Sequence, residues 1–218
     1  AGMRGLLSPG LEYKSVPMVD GVQAIVEMLG HSTHLGVLGW DNLPAHLVER
    51  VARPLRERGV ELVSADEISY ELRAQKSQSE QAVLDECFAI AARGMRAAFA
   101  AIRPGVTERS IAATAEAAMR EAGAEGYSLD TMVASGVENT RRVLVRTTVR
   151  QVERGELVTV TLLPRYEGYH AAVARPFVVG RNERIERIAE LARSAQTAAR
   201  EALRAGREGR LATEACLE

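Results

Sequence analysis

The apolar positions change their period along the chain. Residues 35–40, Leu-Gly-Val-Leu-Gly-Trp, form a short apolar run that predicts a buried strand. Leu43-Pro44 opens a helix to about Arg58, with Leu47, Val48, Val51 and Leu55 at helical spacing and Gly59 as its stop. Val60–Val63 returns as a strand. Strand, helix, strand is an α/β order, and it starts abruptly, as though earlier strands were missing. Residues 65–78 then turn polar and predict a connector, which places a domain boundary near residue 70 and divides 1–69 from 70–218.

The second part reads differently. A long helix runs from Glu80 to Ile102, with Val83, Leu84, Cys87, Ile90, Ala91 and Met95 on one side. Arg103-Pro104-Gly105 breaks it, and Thr107 caps a second helix to about Ala122, which Gly123 ends. Residues 129–135, 142–149, 156–163 and 169–179 are rich in Val, Thr and Leu and predict strands, with a hairpin turn near Tyr166-Glu167-Gly168. A third long helix spans Arg181 to Arg204, and another begins at about Leu211. Helices, then antiparallel strands, then a helix make an α+β order.

Charge narrows the functional classes. Lys+Arg number 28 against Asp+Glu 29, a net charge of −1, so no basic excess offers itself to nucleic acid. Lys14 and Lys76 are the only lysines, and the abundance of arginine and alanine fits GC-rich coding. No apolar run approaches the roughly 18 residues that span a bilayer. The N-terminus lacks a secretory leader pattern, and Ala1-Gly2-Met3 resembles a tag remnant before a start methionine, so a soluble cytoplasmic protein is expected. Cys87 and Cys216 stand far apart, which argues against a disulfide framework or thiolate zinc site; Cys87 reads as a small buried hydrophobe.

Four segments, in order over residues 70–180, resemble the pita-bread superfamily of creatinase, Xaa-Pro aminopeptidase and prolidase. Leu72-Arg73-Ala74-Gln75-Lys76-Ser77-Gln78-Ser79-Glu80 is similar to the entry into the first catalytic-domain helix. Ile102-Arg103-Pro104-Gly105-Val106-Thr107-Glu108 resembles the "pGxTE" turn between the first two helices. Ala134-Ser135-Gly136 is similar to the strand end that leads toward a substrate-binding histidine. Gly155-Glu156-Leu157-Val158, Gly168-Tyr169, Arg175 and Gly180 keep the family's strand-pair punctuation. The resemblance implies the first part of a pita-bread domain, preceded over 1–69 by the remnant of a smaller α/β domain. It also implies a homodimer.

In the metallopeptidases of that superfamily, two aspartates on paired strands bridge two divalent metals, which activate water for attack on a carbonyl carbon. Aligned on Gly168-Tyr169 and Arg175, their positions here are Thr161 and Ala172, a neutral hydroxyl and no donor. The usual histidine falls near Val143 or Leu144, and the remaining ligands, a His and two Glu, belong to a second half that this chain does not contain. No cofactor is therefore expected. Creatinase, a metal-independent C–N hydrolase, shows a similar loss of the first aspartate and a nearby proline, as at Pro164; its acid/base histidine and a substrate-gripping glutamate, at Ala174 here, are absent.

His170 is the candidate acid/base. Alternation along a strand would put residues 170, 172 and 174 on one face, and ectoine-hydrolase-like members carry a similar Tyr-His. The competing reading is a histidine hydrogen-bonded in a half-buried sheet. Within the basic stretch Arg141-Arg142, Arg146 and Arg150, Arg142 and Arg146 are the candidate substrate-binding residues, against a solvated strand or loop. His31, His34 and His46, and the run Arg200, Arg204, Arg207, Arg210, read as surface groups. The expectation is a C–N hydrolase of a small amidino, ureido or peptide-like substrate, independent of metal. The alternatives are a non-catalytic member that binds a peptide or protein partner, and a dinuclear metallopeptidase with relocated ligands.

Overall fold

The computed structural model describes residues 21–217. The expectations for the leader and for Ala1-Gly2-Met3 lie outside the described residues. The chain forms two compact units that meet in sequence at Lys76–Ser77.

The first unit opens with α1 (Gly21–Leu29) and continues through β1 (His34–Val37), α2 (Ala45–Arg56), β2 (Glu61–Ser64) and α3 (Asp66–Ala74). The two strands pair in parallel, His34 opposite Glu61 and Val37 opposite Ser64, so α2 is the crossover of a βαβ unit. Leu55 and Ala52 on α2 are fully buried, and Gly59, at φ +77°, takes the left-handed turn that ends the helix. The segment read as a polar connector is helical instead. Asp66 and Glu67 favour the first turn of α3 through the helix dipole, and Asp66 also accepts the Gly39 N–H at 2.5 Å.

The second unit begins with a capping box. Ser77 Oγ accepts the Glu80 N–H at 3.3 Å, and Glu80 Oε2 accepts the Ser77 N–H at 2.6 Å, which starts α4 (Gln78–Ala101). Its stripe of Cys87, Ile90, Ala91, Gly94, Met95 and Ala98 is buried. After the Pro104-Gly105 turn, Thr107 caps α5 (Glu108–Glu121) by accepting from Ser110 N at 3.1 Å. Then come β3 (Gly126–Tyr127), β4 (Met132–Ser135), α6 (Gly136–Thr140), β5 (Leu157–Leu162), β6 (Pro164–Tyr166), β7 (Tyr169–His170), β8 (Val173–Val178), α7 (Glu183–Ala202) and α8 (Arg210–Leu217). One antiparallel sheet runs β4-β5-β8 and another β3-β6-β7.

The core lies between α4, α5 and the β4-β5-β8 sheet. Val158, Val160 and Leu162 of β5 point into it with Val133, Ile90, Ile111, Ala115 and Met119, while Thr159 and Thr161 alternate to the other face. The α+β class read from the sequence is the architecture found. Two predicted strands differ in detail. Residues 142–149 form a loop, because the Thr147 and Thr148 side chains hydrogen-bond across to neighbouring segments and compete with a ladder. Residues 169–179 divide into β7 and β8, which belong to different sheets; between them Ala171 donates its N–H to Pro164 O at 3.1 Å and packs against Cys87 and Ala91.

A Cβ added to Gly94 would lie 2.5 Å from Met119 Cγ and 3.2 Å from Ala115 O, so this glycine lets α4 approach α5 closely. Gly94→Ala is expected to lose about 1 to 3 kcal/mol of stability despite alanine's better helix propensity, because overpacking outweighs the propensity gain. Chemical denaturation of the two proteins measures the difference.

Candidate functional site

A carboxylate sits where α5 would otherwise present an apolar residue. Glu108 shares its helix face with Ile111, Ala115 and Met119 and is 0% exposed. A buried charge is tolerated only when hydrogen bonds replace its water. Here Oε1 accepts from the N–H and the hydroxyl of Ser135, each at 2.7 Å, and from Asn139 Nδ2 at 3.4 Å. Oε2 accepts from Thr148 N at 2.9 Å and Thr148 Oγ1 at 2.6 Å. The backbone adds Glu108 N to Arg150 O and Arg109 N to Thr148 O, both 3.0 Å. Burial pushes the carboxyl up, but the Thr148 and Ser135 donors together outweigh it and hold Glu108 below the ordinary carboxylate range. One side chain thus joins α5, the end of β4, α6 and the loop before β5.

An ion pair extends this network. Arg150 grips both oxygens of Glu156, with Nη1 at 2.8 Å from Oε2, and also donates to Ser135 Oγ at 2.8 Å. Partial burial raises the Glu156 pKa, yet the Arg150 hydrogen bond and the Glu153 N–H bring it below its usual value. Gly136, at φ +74°, sits against this pair: a Cβ there would lie 2.9 Å from Glu156 Oε1 and 3.0 Å from Arg150 Nη2. Arg150, part of the predicted basic stretch, is therefore occupied by Glu156. Arg141 is paired with Glu138 at the surface.

The face that would carry a metal centre is set by register. Met132 pairs with Thr161, and Thr161 with Ala174; Ala134, Thr159 and Pro176 form the next row. Thr161 is half-buried, whereas Ala172 and Ala174 are exposed. Alternation persists through the break between β7 and β8: Ala171 is buried and Val173 half-buried, while His170, Ala172 and Ala174 are exposed. His170 thus shares the outward side with Ala172 although it pairs with Arg165 of β6 in the other sheet. Among the described residues its imidazole makes no hydrogen bond or ion pair. Its neighbour Tyr169 is anchored, with the phenol donating to Glu80 Oε1 at 2.7 Å.

Arg142 and Arg146 are exposed on the loop between α6 and β5, without an ion-pair partner among the described residues. Thr147 Oγ1 accepts the Val133 N–H at 2.9 Å and donates to Thr131 O at 2.7 Å, which pins the segment after Arg146 beside β4. That is the Thr161 end of the sheet, two strands and about 10 Å across from β8. Arg142 follows α6, its N–H on Asn139 O at 3.3 Å. No hydrogen bond joins either arginine to His170 among the described residues.

The donor set does not fit a dinuclear centre. Thr161 offers one neutral hydroxyl and Ala172 none, and Val143 and Leu144, at the expected histidine position, are apolar and 91% and 70% exposed. Among the described residues no group of three His, Cys, Asp or Glu stands together as a metal site. His34 leans on Thr33 and, at 3.5 Å, on Glu61; His46 is exposed. Cys87 is buried, donates to Pro164 O at 3.3 Å, and burial raises its pKa. The Glu108 network was missed from the sequence. Its signal was present: a glutamate in phase with Ile111, Ala115 and Met119 directly after the Thr107 cap.

Comparison with known proteins places these features in context. The model of Metallopeptidase family M24 matches residues 82–218. The Xaa-Pro dipeptidase of Pyrococcus furiosus is 31% identical over 183 residues, covering 80% of this chain and 51% of that protein. The solved prolidase from Pyrococcus furiosus superposes with TM-score 0.78 at 30% identity, over 88% of this chain and 56% of the other. The X-Pro aminopeptidase from Thermotoga maritima gives TM-score 0.84 at 25% identity, over 95% and 57%. The chain spans about half the length of the relatives it matches.

Because its folded-state pKa lies below that of the unfolded chain, Glu108 stabilises the fold above the unfolded carboxylate pKa. That stability is lost as pH falls through the lower, folded value. Glu108→Gln is expected to cost about 2 to 4 kcal/mol at neutral pH and to flatten the acid side of the stability–pH curve. Urea unfolding from pH 3 to 8 reads both effects.

Proposed function

The chain belongs to metallopeptidase family M24, and from that membership we propose a hydrolase of C–N bonds in a small amidino, ureido or peptide-like substrate that works without metal. The pita-bread fold and the peptidase-like relatives support the reaction class. One observation carries the metal independence: the two positions that would supply bridging carboxylates are Thr161, on β5, and Ala172, just before β8. In this reading His170 takes a proton from water, the water oxygen bonds to the substrate carbon, the C–N bond breaks, and the proton passes to the leaving nitrogen. Arg142 and Arg146 hold an anionic end of the substrate. The outward side shared by His170, Ala172 and Ala174 supports this assignment. We extend the reading to a cytoplasmic homodimer; among the described residues no helix is long and apolar enough to cross a membrane.

A second reading is a non-catalytic member that binds a peptide or protein partner. It is favoured by the absence, among the described residues, of any hydrogen bond that would fix the tautomer of His170.

The test offers creatine, ectoine and Xaa-Pro dipeptides, each with chelator and with added Mn²⁺. Turnover of at least one substrate is expected to be unchanged by chelator and to fall about 100-fold or more in His170→Ala. Activity that disappears with chelator sinks the metal-independent mechanism, and stoichiometric bound Mn, Co or Zn would favour relocated ligands. No turnover of any substrate leaves the binding reading in place.

A further inference from the structure

The face of α7 turned toward β8 is built in an unusual way for a packing helix. Ala189, Ala192, Arg193 and Gln196, at helical spacing, line a groove with Ala174, Arg175 and Pro176 of β8. A helix laid on a strand to bury apolar surface would place large apolar residues there. The large apolar residues of α7 lie outside this lining: Ile185 is half-buried elsewhere, and Ile188 and Leu191 are exposed. Small side chains instead leave a space of about 490 Å³, within the size range of small-molecule sites.

We propose that this groove binds a small molecule through an oxyanion, a carboxylate or a phosphate, gripped by Arg175 and Arg193. None of the seven lining residues is acidic. Arg175 spends one donor, Nη1, on Ala174 O at 2.8 Å, which fixes the guanidinium without neutralising it. Arg193 pairs with Glu190 at 2.5 Å, but that bridge is solvent-exposed and i,i+3, so a bound anion competes with it readily. Gln196 adds an amide donor one turn further on. A fork of guanidinium donors suits carboxylate and phosphate geometry. The groove also continues from the surface described above: Ala174 and Pro176 are the register partners of Thr161 and Thr159. This site is separate from Arg142 and Arg146 and does not depend on the proposed catalysis.

The test titrates inorganic phosphate and succinate into the protein, with succinamide as the uncharged counterpart, at constant ionic strength in chloride, and reads binding by calorimetry. Saturable binding of at least one anion is expected, none of succinamide, and an affinity about ten-fold or more weaker in Arg193→Gln and in Arg175→Gln. Preference between phosphate and succinate identifies the source of the oxyanion. Circular dichroism verifies that each variant is folded, and Arg193→Gln, at a solvent-accessible position of the helix, guards against loss of fold in the strand variant. Absence of saturable binding, or binding unchanged in both variants, overturns the proposal. Binding abolished by Arg146→Gln and untouched by the groove variants also overturns it, and would place the anion on the loop of the proposed catalytic site instead.

Discussion

The second unit is organised around one buried charge. A carboxylate with no exposed surface has to replace its lost water, and Glu108 does so with five donors drawn from three pieces of chain: Ser135, Asn139 and Thr148. The end of β4, the short helix α6 and the loop before β5 are thereby fixed to the first turn of α5. The Arg150–Glu156 pair lies against the same Ser135 hydroxyl, so the guanidinium that joins this network is itself neutralised locally. Segments that make few apolar contacts are held in place by polar geometry, and the loop that carries Arg142 and Arg146 is among them.

Against that frame, the outward sheet face is chemically sparse. Its rows run Met132, Thr161 and Ala174, then Ala134, Thr159 and Pro176, with the β4 members Met132 and Ala134 themselves buried. Such a surface has hydroxyls and methyls but no carboxylate, and a cation would find no charge there to offset its own. The apolar core and the outward face belong to different layers of the molecule. The helices and the inward half of β5 build the core, while the outward half of β5 carries the hydroxyls of Thr159 and Thr161.

The helices α2, α4, α5 and α7 and the strand β5 were legible in the sequence because each leaves a periodic trace. The α4 stripe from Cys87 to Ala98 and the alternation from Leu157 to Leu162 are examples. Residues 142–149 defeated that logic: Val143, Val145 and Val149 alternate with other residues as in a strand, yet Thr147 and Thr148 spend their hydroxyls and an amide on distant segments. Periodicity cannot report such long-range hydrogen bonds. The fates of the arginines were hidden for the same reason. Arg150 and Arg146 look alike in the sequence, and only the fold brings Glu156 to one of them.

Glu80 performs two tasks at once. One oxygen closes the capping box that begins α4, and the other receives the phenol of Tyr169, the residue before His170. The first turn of a helix is where fraying starts, and its opening here would withdraw an acceptor from the β6–β7 hairpin. The order of the hairpin is therefore tied to the order of a junction 89 residues earlier in the chain. A strain applied at Ser77 would reach the imidazole through a single carboxylate, with no movement of the core required.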